Sequence, residues 1–282
     1  IKVMTGNPGT YINRNHFAGY LEMGLALALG LMISRLDGST PSGWRERVRR
    51  WLNTFLSAKV LIRILIITLV VGLILSRSRM GNTAFFGALS MSGVFALYAF
   101  RGSSKSITLF FVSILIVDIV LMGAFFGLDK LQDRFEALNV TEDSRLYQSE
   151  ITTGMLKVHG LTGVGAGAYY IAGPPYRDER IGAFMDHAHN DLLQLPVELG
   201  VPGSLFLLVC LGYSFFFAVR VQLVRRNVFM KSMGFASTMG LTSLLIHSSA
   251  DFNLQLVSNA GTFMLLLAIP FLAMSLSRRG LR

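Results

Sequence analysis

Two histidines, two carboxylates and an amide fall within six consecutive positions, Asp186-His187-Ala188-His189-Asn190-Asp191. An imidazole titrates near neutral pH, so it can take a proton from a hydroxyl and act as a general base. His187 and His189 can also be read as two ligands of a metal. A catalytic zinc takes three protein ligands, however, and no His-Glu-x-x-His or cysteine partner accompanies them. A third reading has one imidazole cap the helix that follows. The cluster leads directly into the apolar stretch Leu192 to Gly203, which continues through Leu205-Phe206-Leu207-Leu208-Val209 to Val219. That run is long enough to cross a bilayer, at roughly 17–25 residues per helix. Titratable groups therefore stand at a membrane entrance.

Three arginines are candidates to share that entrance. Arg77 and Arg79 crowd the short turn Ser76-Arg77-Ser78-Arg79-Met80-Gly81-Asn82 between two apolar runs, and Arg145 opens an amphipathic stretch. A guanidinium stays charged and donates a planar pair of hydrogen bonds, which suits an anion such as a phosphate. The plainer reading of the turn is two arginines snorkelling to lipid headgroups. For Arg145 it is a solvated charge near a helix start, where the dipole prefers anions. Glu22 and Asp118 lie within apolar runs, where ionisable groups are costly and are usually paired or functional. Glu22 is close enough to its span's end to reach the site, and Asp118 is read as a structural hydrogen bond to a neighbouring helix.

The elements that must position these groups are membrane spans. Hydrophobic residues make up 52% of the chain and charged residues 15%, with mean hydropathy +0.53. Soluble domains carry about 25% charged residues. Seven apolar runs can be marked: Phe17–Ile33, Val60–Leu75, Thr83–Phe100, Ile107–Phe126, Val201–Val219, the short Met233–Ile246, and Leu256–Leu276. The expected fold is an all-α polytopic bundle. Residues 1–126 supply four spans, 127–200 a large loop carrying catalytic residues, and 201–282 three more spans. The chain starts at Ile1, and further spans are expected upstream.

The net charge of +10 does not indicate nucleic acid, because the cations gather in short connections. Arg35, Arg45, Arg47, Arg49, Arg50 and Lys59 separate the first two spans, and Arg101 and Lys105 the third and fourth. Arg220, Arg225, Arg226 and Lys231 separate the fifth and sixth, and Arg278, Arg279 and Arg282 follow the seventh. Alternation puts all four groups on one side, the cytoplasm. The segment Asn13-Arg14-Asn15-His16, the Arg77–Arg79 turn, the long loop and the turn from His247 to Gln255 then face outward together.

Within the long loop, Asp143 to Val158 has a helical stripe, with Leu146/Tyr147, Ile151, Met155 and Val158 on one face. Gly163-Val164-Gly165-Ala166-Gly167-Ala168 formally fits a dinucleotide fingerprint, but no strand–helix unit surrounds it, so it reads as a flexible glycine turn. Gly173-Pro174-Pro175 and Arg177-Asp178-Glu179-Arg180 read as a loop tip.

His189-Asn190, nine residues, Gly200, two residues and Gly203 resemble the signature of the O-antigen ligase family. Asn13-Arg14-Asn15-His16-Phe17-Ala18, Leu75-Ser76-Arg77-Ser78-Arg79, and Leu161 to Gly167 following Arg145 resemble the wider superfamily of ligases, O-antigen polymerases and O-oligosaccharyltransferases. That resemblance implies metal-independent, inverting glycosyl transfer at the outer face of the bacterial inner membrane, with no cofactor. The implied donor is a glycan on undecaprenyl pyrophosphate, and the acceptor is lipid A-core, a growing polysaccharide or a protein. By the same analogy His189 is the general base, while Arg79 and Arg145 hold the pyrophosphate. Arg77 is the alternative to Arg79. His187, Asn190, Asn13, Arg14, His16 and Glu22 are the expected substrate-binding residues, with His247, Asp251 and Asn253 as further candidates. For His247 and Asp251, a structural turn is the simpler reading. The competing reading from another class is a transporter or flippase of lipid-linked substrates, motivated by Glu22 and Asp118.

Overall fold

The structure, a computed structural model, describes residues 10–36, 58–103, 105–117, 120, 123, 141–177 and 186–276, with the backbone alone over 141–146. Among these residues there is no strand. The helices are α1 (Arg14–Ser34), α2 (Ala58–Leu75), α3 (Arg79–Ala99), α4 (Lys105–Val117), α5 (Thr141–His159), α6 (Asp191–Val224), α7 (Val228–Ser248) and α8 (Val257–Ser275). Of these, α1, α2, α3, α6 and α8 are long and apolar enough to cross a membrane. Asp118, read from the sequence as a structural hydrogen bond to a neighbouring helix, and the rest of the fourth run beyond Val117, apart from residues 120 and 123, lie outside the described residues.

The sixth run was expected to be short, but α7 is 21 residues long. It reads as weakly apolar because it is the central helix, packed by α1, α3, α6 and α8. Several of its polar side chains are satisfied by neighbouring helices or by its own backbone instead of meeting lipid. Thr238 Oγ1, for example, accepts from Gln222 Nε2 of α6 at 2.7 Å. Small residues let the backbones approach. A methyl placed on Gly30 of α1 would stand 2.7 Å from Ala236 Cβ and 2.8 Å from the Ser232 carbonyl of α7. By contrast α2 is only 6% buried along its span, against 67% for α1, so its surface is left for lipid.

Arg101, Arg225, Arg226 and Lys231 line one cavity where α3 and α6 end and α7 begins. The outward-assigned residues lie at the other ends of the same helices.

The break in α6 organises the loop. The fifth run was expected to begin at Val201, but α6 begins ten residues earlier and is interrupted at Gly200 (φ 72°, ψ 163°). Pro202 has no N–H to give Glu198 O, and Val201 N donates to Gly160 O at 2.7 Å instead of to its own helix. The carbonyls of Val197 and Glu198 are thereby released. They accept from Val164 N and Gly165 N, both at 2.9 Å. The glycine-rich stretch is thus a backbone clasp on the broken helix. A Cβ on Gly163 would meet Glu198 O at 2.2 Å, and one on Gly200 would meet Leu161 O at 2.6 Å. Gly200→Ala is therefore expected to cost about 1–3 kcal/mol. Gly212→Ala, at a position open to 4 Å, should be neutral or slightly stabilising. Thermal unfolding in detergent compares them, and equal stability of the two variants would contradict the clasp.

Beside the clasp, α5 lies on α6. Met155 and Val197 are fully buried, with Tyr147 and Ile151 packed against them. Val158 departs from the expected stripe, since it is 67% exposed. Thr152 takes its place on the buried face because its hydroxyl pairs with Tyr169 Oη at 2.6 Å.

Candidate active site

Four chain segments converge at the end of the bundle opposite the Arg101–Lys231 cavity. The first is the start of α1, where Asn13 is the N-cap and its side chain accepts from Asn15 N at 2.9 Å. Arg14 is the first residue of that helix. The second is Asp186–Asn190, leading into α6. The Asn190 side chain is spent on capping, accepting from Leu192 N at 3.0 Å and Leu193 N at 3.3 Å. The third is the turn from His247 to Gln255, and the fourth is the Arg77–Arg79 turn.

Asp251 and Phe252 are the hub. Asp251 is fully buried, with Oδ1 3.5 Å from both His16 Nε2 and His189 Nδ1. Its other oxygen accepts from Asn15 Nδ2, and Phe252 N donates to Oδ1 at 2.9 Å. Burial alone would raise this carboxyl's pKa. The two imidazoles outweigh burial and hold it well below the ordinary carboxylate range. Phe252 stacks on His187 at 4.0 Å between centroids and meets His16 and His189 edge-on at 4.4 and 4.9 Å. One carboxylate and one phenyl ring therefore fix three histidines.

The histidines are not equivalent. His16, an expected substrate-binding residue, is 5% exposed and touches Asp251 and Phe252. His189 is 25% exposed, with Nδ1 buried toward Asp251, which leaves Nε2 as the outward nitrogen. Its backbone is left-handed at φ 50°, a conformation few side-chain-bearing residues adopt. His187 Nδ1 is 3.0 Å from Gln194 Nε2. Burial pushes its pKa below the ordinary imidazole value, toward the neutral form.

Below this layer, Glu22 accepts from Ser243 Oγ at 2.7 Å and lies 2.8 Å from His247 Nδ1, with all three buried. Glu22, an expected substrate-binding residue, is held within the bundle by these two contacts. Asp191 Oδ2 accepts from Ser248 Oγ and Leu254 N, both at 2.9 Å, which ties the start of α6 to the turn after α7. Asn253 likewise serves structure, its Oδ1 accepting from Asn259 Nδ2 at 3.0 Å. Asp251 lies beyond the last residue of α7, in the turn that the sequence indicated.

Arg77 is exposed and left-handed (φ 51°), and Arg79 is half-buried at the first position of α3. Ser78 is the N-cap, accepting from Gly81 N at 3.1 Å. A methyl on Gly81 would stand 2.6 Å from Ala18 Cβ and 3.0 Å from Glu22 Oε1. The arginine turn is thus seated on α1 beside the Glu22–His247 pair. Arg145 belongs to α5, which packs against Ala188 and Val197 of the histidine segment and α6. Its side chain lies outside the described residues. Among the described residues, no three His, Cys, Asp or Glu side chains are grouped to hold a metal ion.

Phe252, Asn15, Gln194 and Glu198 were not anticipated as site residues. An aromatic in a membrane protein carries no signal, and Gln194 and Glu198 showed only as polar positions four apart at the foot of an apolar run.

A protein-family model described as O-antigen ligase matches residues 64–208, just over half of the chain. The match contains both arginines of the turn, Arg145, His187 and His189, and stops short of Asp251. No curated protein matches the chain.

Proposed function

The chain belongs to the O-antigen ligase family, and on that premise we propose that it transfers a glycan from undecaprenyl pyrophosphate to an acceptor hydroxyl at the outward face of the bacterial inner membrane. The observation that carries the reading is His189, its Nδ1 turned to a buried carboxylate and its Nε2 turned outward, at the bundle end that also bears the arginine turn.

His189 Nε2 takes the acceptor hydroxyl's proton as the hydroxyl oxygen attacks the anomeric carbon of the donor sugar. The bond from that carbon to the phosphate oxygen breaks on the opposite face, giving inversion, and undecaprenyl pyrophosphate departs with the electron pair. Asp251 holds the imidazole tautomer and stabilises the imidazolium that forms, with His16 and Asn15 fixing Asp251. Arg79 and Arg145 bind the pyrophosphate and take up its growing charge, assisted by Arg77 and Arg14. Pyrophosphate is a good leaving group, so these residues require neither a metal nor a covalent nucleophile. Asn13, Asn190 and Glu22 act through the backbone they cap and the helices they join. The transporter reading is not favoured, since Glu22 is engaged by His247 and Ser243, and the described histidines and carboxylates collect at one end of the bundle.

The test is reconstitution of the purified protein with a lipid-linked glycan and lipid A-core. Formation of glycosylated core with release of undecaprenyl pyrophosphate supports ligase action. Chain extension on the lipid carrier instead would make the protein a polymerase, and no transfer to any acceptor would reject the reading. In the same assay Arg79→Lys is expected to lower kcat/KM for the donor by roughly tenfold or more, because an ammonium cannot donate a bidentate pair. Arg77→Lys should have the smaller effect, and the reverse order would exchange the roles of the two arginines.

A further inference from the structure

The tautomer of His187 can be deduced. The Ala188 backbone N–H can only donate, and it points to Gln194 Oε1 at 2.9 Å, which fixes the amide's orientation. Gln194 Nε2 is then the donor in its two other contacts, to Glu198 Oε1 at 2.9 Å and to His187 Nδ1 at 3.0 Å. Glu198 is anchored in turn, its Oε2 accepting from Gly167 N of the clasp at 3.0 Å. An Nδ1 that accepts puts the proton of a neutral imidazole on Nε2. No side chain among the described residues takes that Nε2 proton.

From this geometry, and resting on the glycan-transfer reading above, we propose that His187 is an acceptor-recognition residue: a neutral imidazole whose Nε2–H donates to a carbohydrate hydroxyl next to the one that attacks. The chemistry selects this ligand class. A group that must accept the attacking hydroxyl's proton needs a lone pair outward, and His189 Nε2 has one if Asp251 holds the proton on Nδ1. His187 presents the opposite polarity two residues away, and Phe252 spaces the two rings. The arginines suit the pyrophosphate, whereas an uncharged sugar is matched by an uncharged donor. Burial of the ring, which favours its neutral form, agrees. Asp186, Glu198 and His189 are the charged or titratable neighbours that act on it. The Gln194–Glu198–Gly167 chain makes His187 a rigid part of the clasped helix, so its donor has one direction.

The experiment uses the full chain in lipid nanodiscs, with lipid A-core oligosaccharides each lacking one hydroxyl. Acceptor Kd is read by calorimetry without donor, and acceptor and donor KM by transfer. His187→Phe keeps a ring against Phe252 and loses the donor, while His187→Gln keeps an N–H near the Nε2 position. His187→Phe should raise acceptor Kd and KM roughly tenfold, with donor KM and the acidic limb of the pH profile unchanged. His187→Gln should recover most of the loss. One deoxy acceptor should bind wild type and His187→Phe equally weakly. Loss of the acidic limb would make His187 the base. A raised donor KM would place it on the pyrophosphate, and an equal fall for every acceptor would make it structural. Each of these overturns the proposal. If the wild type transfers nothing, the transfer reading fails, and the Kd panel still decides whether His187 reads a sugar hydroxyl.

Discussion

Replacing His189 with alanine lowers glycan transfer by roughly 10²–10⁴-fold while the protein still reaches the membrane, the range over which a positioned general base contributes. The residue is held by a left-handed turn, so the ring is aimed by backbone geometry, and only a quarter of the side chain is exposed. Removing it takes away the outward nitrogen and leaves the buried carboxylate network bonded to His16 and Asn15. The fold therefore survives better than the activity. The measurement is lipid A-core glycan by gel in a strain lacking the gene, with lipid-linked glycan quantified in parallel. Long glycan lost and lipid-linked donor accumulated is the expected pair. Normal long glycan at normal protein level would remove His189 from the mechanism.

Asp251→Asn should reduce kcat by about two orders of magnitude with little change in either KM. An asparagine of the same shape can turn an N–H toward His189 Nδ1, which places the imidazole proton on Nε2 and blinds the base. The substitution also predicts a change in acid stability. The folded carboxyl titrates below its unfolded value of about 3.9. Its contribution is complete above that value and is lost as pH falls through the folded one. Wild type should lose stability on that descent, and Asp251→Asn should lack that part of the slope. Parallel unfolding curves for the two proteins, together with unchanged kcat, would mean that Asp251 neither carries the charge nor sets the tautomer.

Hydropathy was enough to read the all-helical membrane bundle, because lipid leaves a chain few ways to satisfy its backbone. His187, His189 and the arginine turn were legible because polar groups at a membrane boundary are conspicuous. The central helix α7 was harder to read. Its serines and threonines weaken the apolar signal where protein, not lipid, surrounds them. The helix starts at Asp191, ten residues before the run marked from Val201, because Pro196, Gly200 and Pro202 interrupt the apolar pattern without ending the helix. In the fold, the proline-released carbonyls are taken up by Val164 and Gly165, more than thirty residues away. Hydrophobic periodicity has no means of expressing such a bond. For the same reason Asp251 read as a turn residue, since its two histidines come from α1 and from the loop.

The clasp is made of main-chain groups, with donors at positions 164, 165 and 201 and acceptors at 160, 197 and 198. Such an anchor places little demand on side-chain identity beyond Gly163 and Gly200. Ala166 and Ala168 can be exchanged without removing one of its hydrogen bonds, whereas Val164 also packs against the cluster of Met155, Tyr169, Ala188 and Val197. The loop sequence can therefore vary while the scaffold beneath the histidines stays in register. This makes the chain a tolerant starting point for directed evolution: libraries confined to Ala166 and Ala168 should keep the clasp, and with it the placing of His187 and His189.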